Sequence, residues 1–386
     1  MDGKKYRIFI LGAGFSKPAG FPLAVELWHE VRRRVECLTG RARMFDNDLE
    51  NYLRYKQECD GVTIPPDDVN FEDFMHFLDI EHFLGLRGSD TWSREGNEGT
   101  VVVKTLIGHI LSELTPAPED IPRIYLTFAN GLQPGDYVLT FNYDVLLERA
   151  LEAVGKPYRL FPNRYRSVQE YTAIIDNSEE EAAVLKLHGS IDWFDRTEYA
   201  ERERQQRAAG LSTLPPHPVF AHARELGVTK LLDGPRHADD PLNQMYRVHR
   251  VESLYRKPTM FLATPWLLAP STVKILYAEK LKDFWYGLEN AGVLNFGLSI
   301  IGYSLPAQDD YARQVIYRVV TNYQKAHWDE EVFGLRKPPL VIVARCDNAK
   351  AVDECKAQYR FVDWSRAILC RDGLNEESVN LALGQP

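Results

Sequence analysis

Four stretches place glycines or polar residues directly behind an apolar run. Gly12-Ala13-Gly14-Phe15-Ser16 follows "RIFIL", Asn142 and Asp144 follow "DYVLTF", His188-Gly189-Ser190 follows "AAVLKL", and Gly302, Ser304 and Asp309 follow "VLNFGLSII". Glycine behind a strand permits a tight turn and a close approach of backbone to a phosphate, whose charge then meets the N–H groups opening the next helix. A histidine has an unperturbed pKa near neutrality and suits proton transfer. Taken singly, each has an ordinary explanation. Asn142 and Asp144 are equally suited to capping a helix, and His188 to a satisfied structural role. The glycine pattern also departs from Gly-x-Gly-x-x-Gly, because Lys17 occupies the place of the third glycine.

What could unite these residues is a sheet that brings the strand ends together, since ligands of doubly wound sheets bind outside the carboxyl ends of the strands. The sequence supplies such a sheet. "RIFIL" reads as a buried strand, and Pro22 to Leu38 as the helix after it, with Leu23, Leu27, Val31 and Val35 four residues apart. "DYVLTF", the helix-like "VLLERALEAV", "AAVLKL" and "IDWF" follow; "TMFLAT", "VLNFGLSIIGYS" and "PLVIVAR" then alternate with helical segments at Ile275 to Leu288 and Asp310 to Tyr323. Strands separated by helices imply a parallel sheet covered on both faces. The expected fold is α/β, a doubly wound Rossmann-like parallel sheet with an inserted helical subdomain. It is expected as a single domain over 1–386, with the sheet core in 6–69, 133–194 and 257–364. Residues 70–132 read as the helical insertion and 195–256 as a peripheral charged insertion.

The formal charge of -9 argues against bulk attraction to nucleic acid or an anionic membrane. The basic run "VRRRV" reads as a solvated helix face. Five scattered cysteines without a Cys-x-x-Cys pair fit a reduced compartment. No apolar run approaches the roughly 20 residues needed to span a bilayer, and "MDGKKYR" has no signal-peptide core, so a cytoplasmic protein is expected. His217, His222, His237 and His249 match no common zinc spacing and read as solvent-facing, with no metal expected. Trp193 and Phe194 read as core, with a pocket wall as the alternative.

The order Gly-Ala-Gly-x-Ser, Thr-x-Asn-x-Asp, His-Gly resembles the sirtuins (silent information regulator family), here at Gly12 to Ser16, Thr140 to Asp144 and His188-Gly189. "GFP" at Gly20 to Pro22 is similar to the start of the sirtuin Gly-Ile-Pro segment. "NFEDF", "KLHGSIDW" and "IGYSLPAQD" resemble the bacterial sirtuin-like branch. Two features depart from protein-deacylating sirtuins: the two Cys-x-x-Cys pairs of the zinc module are missing, and "LAVELW" stands in place of Asp-Phe-Arg.

With those departures the resemblance implies an NAD hydrolase of bacterial anti-phage defence. In that reading NAD is the substrate, with Asn142, His188 and Asp144 catalytic. Gly12, Ala13, Gly14 and Ser16 hold the diphosphate. Gly302 and Ser304 contact the adenosine side, with Asp309 and, more weakly, Asp347 as further candidates. The resemblance also implies a homo-oligomer and a HerA-type DNA translocase ATPase as partner. The competing readings are an NAD-dependent ADP-ribosyl transferase or protein deacylase, and a non-catalytic NAD or ADP-ribose sensor.

Overall fold

The structure is a computed structural model and describes residues 6–37, 42–86, 93–170, 172–210, 216–256, 263–306, 309–332 and 334–385. Seven parallel strands form the central sheet: β1 (Ile8–Leu11), β2 (Tyr137–Thr140), β3 (Tyr158–Arg159), β4 (Ala182–Lys186), β5 (Leu298–Ile301), β6 (Leu340–Val343) and β7 (Ala367–Cys370). Their order across the sheet is β7-β6-β5-β1-β2-β4-β3. β1, β4, β5 and β6 are buried at every position, the near-continuous apolar run expected of strands covered on both faces. The expected α/β sheet flanked by helices is therefore present.

Chain direction across this sheet reverses between β1 and β5, because β1 leads to β2 on one side while β5 leads to β6 on the other. That junction is the topological switch point, where a crevice opens. Register aligns the strand ends there: Leu11 pairs with Thr140 and Ile301, Thr140 with Lys186, and Ile301 with Val343. The loops behind five strands thus leave the sheet along one edge.

Helices over Phe71–Phe83, Glu98–Leu114 and Arg123–Gly131 occupy the segment expected to be helical. A further helix, Ala42–Asp60, packs against the first two of these. Trp28, on the helix Ala24–Val35, joins this cluster with ring centroids 5.4 Å from Phe71 and 5.5 Å from Phe74. The Asn70 side chain accepts from Glu72 N at 2.9 Å and Asp73 N at 3.1 Å, a cap contributing about 1 kcal/mol to the helix it opens. No helix among the described residues is long and apolar enough to cross a membrane.

Several elements differ from the sequence reading. Trp193 and Phe194 of "IDWF", with Asp195, form a strand of a separate antiparallel sheet with Met245–Val248 and Val228–Lys230, not of the central one. β3 and β7 were not foreseen, because β3 has only two residues and β7 is half-buried. "TMFLAT" lies mostly outside the described residues, and its Ala263 and Thr264 belong to no strand. Residues 275–288 form single turns and a four-residue helix, Lys282–Trp285. Buried Ala278, Leu281 and Phe284 recur every three residues there, a period that suits 3₁₀ turns. His222, His237 and His249 are exposed as expected. His217 is not; it packs between Tyr199 and Phe220, and burial lowers its pKa to about 4, reinforced by Arg196.

Candidate functional site

Behind β1 the chain makes one helical turn, Ala13–Ser16, and behind β5 it turns at Gly302 with φ +64°. The two loops touch: Gly12 N donates to Ile301 O at 3.0 Å and Gly14 N to Gly302 O at 2.9 Å. A Cβ on Gly12 would lie 2.6 Å from Tyr303 Cα, and one on Gly302 would lie 2.2 Å from Phe15 N. The first requirement for glycine here is therefore contact between two loops at the switch point, rather than contact with a ligand. Tyr125, on the helix Arg123–Gly131, fixes the same turn by donating to Phe15 O at 2.9 Å.

A cavity of about 960 Å³ opens on these loops, at the upper end of the range for small-molecule sites. Gly12, Ala13, Gly14, Ser16, Asn142, Asp144, His188, Gly302, Ser304 and Asp309 all line it. Asp347 does not; it pairs with exposed Arg345 at the surface. Trp193 and Phe194 are fully buried away from the cavity, in the core. Leu23, Ala24, Val25, Leu27 and Trp28 of "LAVELW" form an apolar wall. Ala344 and Cys346 behind β6 and Gln358 on the helix Ala349–Gln358 also line the cavity.

Asn142 caps no helix. Its Nδ2 donates to Gly12 O at 3.0 Å and Ser16 Oγ at 3.1 Å, which ties the end of β2 to the glycine turn. An acceptor at Gly12 O requires the nitrogen to point that way, so Oδ1 is the free end, with no hydrogen bond among the described residues. Ser16 Oγ passes the chain on to Asp144 Oδ2 at 2.8 Å, and Asp144 Oδ1 accepts from Leu146 N at 3.0 Å. Asp144, not Asn142, steadies the start of the helix Leu146–Ala153. Both of its oxygens are engaged.

His188 is 4% exposed, edge-on to Phe141 at 4.9 Å between centroids. The Tyr311 hydroxyl lies 2.6 Å from its Nε2. Burial, with Asp309 and Tyr143 nearby, keeps the Tyr311 hydroxyl protonated, and the tautomer of the imidazole sets which of the two groups donates. Burial also lowers the His188 pKa to about 3, helped by the charge of Lys274 and opposed by Asp309. The near-neutral pKa expected from sequence is thus overturned by desolvation: His188 is a neutral imidazole.

Beside it lies a buried ion pair in which Lys274 Nζ contacts Asp309 Oδ1, with side chains 2% and 5% exposed. Tyr303 donates to Asp309 Oδ2 at 3.0 Å. Burial opposes ionisation of Asp309, but His188, the charge of Lys274 and the bonds donated by Lys274 and Tyr303 outweigh it and hold the pKa below its usual value. Sequence reading missed Lys274, Tyr303 and Tyr311. Tyr303 stood within the quoted "GYS"; Lys274 carries no motif, and only its burial makes it notable. Glu72, within the quoted "NFEDF", also lines the cavity.

Residues 136–286 match the family model of the SIR2-like domain. That segment carries Asn142, Asp144, His188 and Lys274, while the glycine turn and the Gly302 loop lie outside it. Two solved sirtuin structures align along most of the chain. One, "The Structural basis of Sirtuin Substrate Affinity", is 13% identical, covering 98% of this chain and 93% of its own, with a TM-score of 0.34. The other, Sir2Tm bound to a propionylated peptide, is 12% identical, covering 98% and 92%, with a TM-score of 0.32. Likenesses that distant carry no residue-by-residue correspondence. No curated protein matches the chain.

Proposed function

We propose that this protein is an NAD+ glycohydrolase, cleaving the nicotinamide–ribose bond to give nicotinamide and ADP-ribose. The observation that carries this reading is the convergence of nine polar and glycine residues, from four strand-end loops, on one cavity at the switch point of the sheet. A cavity lined by two glycine turns together with Asn142, His188 and Asp309 suits a ligand that carries both a diphosphate and a reacting ribose. In the reaction the C–N bond pair passes to the pyridinium nitrogen, which leaves as neutral nicotinamide. The ribose acquires oxocarbenium character, as in glycoside hydrolysis, and a water adds at C1′.

Asn142 presents Oδ1 to orient that water or the ribose hydroxyls, because its Nδ2 is bound to the glycine turn. His188 contributes a neutral imidazole to the cavity wall, with its Nε2 bonded to the Tyr311 hydroxyl. Asp144 acts through Ser16, holding the turn that receives the diphosphate. Gly12, Ala13, Gly14 and Ser16 take the diphosphate, and Gly302 and Ser304 the adenosine side.

Nicotinamide release from NAD by the purified protein tests the reading. Asn142→Ala and His188→Ala are each expected to lower turnover by roughly 10²-fold or more, the scale of losing one positioned group. Full activity in both variants refutes the site. Binding of NAD without turnover under any condition favours a sensor instead. The same proposal places the enzyme in bacterial anti-phage defence as a homo-oligomer working with a HerA-type ATPase. Light scattering that finds only monomer, or activity indifferent to the ATPase, removes those parts.

A further inference from the structure

Water that adds to the ribose must give up a proton, and the acceptors foreseen from sequence are already engaged. Asp144 accepts from Leu146 N and Ser16 Oγ. Asp309 accepts from Lys274 and Tyr303. His188 Nε2 is bonded to the Tyr311 hydroxyl, and its imidazole resists protonation. Among the other acids on the cavity, Asp67, Asp68 and Glu354 are exposed at the rim, with Asp67 paired to Arg32 and Glu354 to Lys350.

Glu72 differs from all of these. It stands in the first turn of the helix Phe71–Phe83, where the Asn70 cap fixes its backbone. Its side chain is half-buried on the cavity wall and has no hydrogen bond or ion pair among the described residues. Charges that act on it come from two further elements of the wall, Lys274 and Asp309, and from Asp73 on its own helix. Lys274 and Asp309 are also the charges that act on His188, and all four side chains line the same cavity. Burial, aided by Asp309 and Asp73 and opposed by Lys274, raises its pKa above the usual carboxylate value. That is the direction in which a carboxylate becomes a better base.

We propose that Glu72 is the proton acceptor of the hydrolytic step, a catalytic residue that takes one proton from the attacking water. The water oxygen forms the new bond to C1′ as the bond to nicotinamide breaks. One water proton passes to a Glu72 oxygen and is later released to solvent, and the other remains on the new hydroxyl of ADP-ribose. The inference rests on the NAD-cleaving reading above.

The test compares wild type, Glu72→Gln and Glu72→Ala for nicotinamide release and, by calorimetry, for ADP-ribose binding. In Glu72→Gln kcat is expected to fall by roughly 10²–10⁴-fold with ADP-ribose affinity unchanged. In Glu72→Ala, azide, an anion that needs no deprotonation, is expected to restore turnover and to yield the ribosyl azide. Wild-type kcat in Glu72→Gln overturns the proposal. So does a loss of turnover that is accompanied by lost ADP-ribose affinity and not rescued by azide, since that marks a structural role. A wild type that releases no nicotinamide fails the NAD-cleaving reading itself, a result distinct from an active Glu72→Gln.

Discussion

The two edges of the central sheet both bury charge, and they use it differently. At the amino edge Arg7 and Asp136 meet at 2.5 Å, with side chains 10% and 0% exposed. Arg7 also donates to Leu383 O at 2.6 Å and Gly131 O at 2.7 Å, and Asp136 accepts from Arg7 N and Gln133 N. Every partner is protein, and neither residue lines the large cavity. This pair joins the last helix, Glu376–Ala382, and the helix Arg123–Gly131 to the sheet. At the carboxyl edge Lys274 and Asp309 are as deeply buried, yet they line a cavity together with Asn142 and Glu72, whose Oδ1 and side-chain carboxylate have no hydrogen bond among the described residues. Satisfied buried polar groups hold a fold in one arrangement; groups left facing a cavity have capacity for a ligand.

The largest effect that would test this contrast is Arg7→Met. It leaves Asp136 buried without its cation and should cost about 3–5 kcal/mol of stability in urea unfolding. ADP-ribose affinity per folded molecule should not change. A loss of affinity at full stability would mean that the amino edge is not purely structural.

At the carboxyl edge the sharpest handle is pH. His188 is neutral in the folded chain with a pKa of about 3, whereas an unfolded histidine titrates near its ordinary 6.5. Protonation therefore favours the unfolded state, and stability present at neutral pH declines as pH falls below about 6.5, by about 2 kcal/mol at pH 5. His188→Gln should remove that part of the acid sensitivity, as seen in urea midpoints at pH 7 and pH 5. Identical acid slopes in the two proteins would contradict a buried neutral imidazole.

The smallest effect is expected at Lys17, the residue in the third-glycine position. It forms an exposed pair with Glu26, the two side chains being 44% and 48% exposed, and it is absent from the cavity lining. Lys17→Ala should change stability by less than about 0.5 kcal/mol and leave ADP-ribose binding intact. A marked loss of binding would make Lys17 a phosphate ligand and shift the site outward.

Much of the carboxyl edge was legible beforehand because its signals are local. An apolar run followed at once by Gly-Ala-Gly, or by Asn and Asp, announces a strand end wherever the chain folds. Parallel register then aligns those ends without further information. The amino edge was silent: Arg7 and Asp136 stand 129 residues apart with nothing between them to suggest a pair. β3 went unseen for a similar reason, since two residues are too few for periodicity to register.

The sequence by itself determined the α/β alternation, the glycine turns behind β1 and β5, and the identity of the polar residues at the strand ends. All of these follow from neighbouring residues. Only the tertiary structure decided what those residues can do. Asn142 turns its nitrogen to Gly12, Asp144 engages both oxygens with Ser16 and Leu146, His188 loses its proton to burial, Lys274 arrives as the partner of Asp309, and Glu72 is left without one. Hydrogen-bond partners and desolvation depend on atoms brought together from distant parts of the chain, and these, rather than residue type, set which groups remain free to meet a substrate.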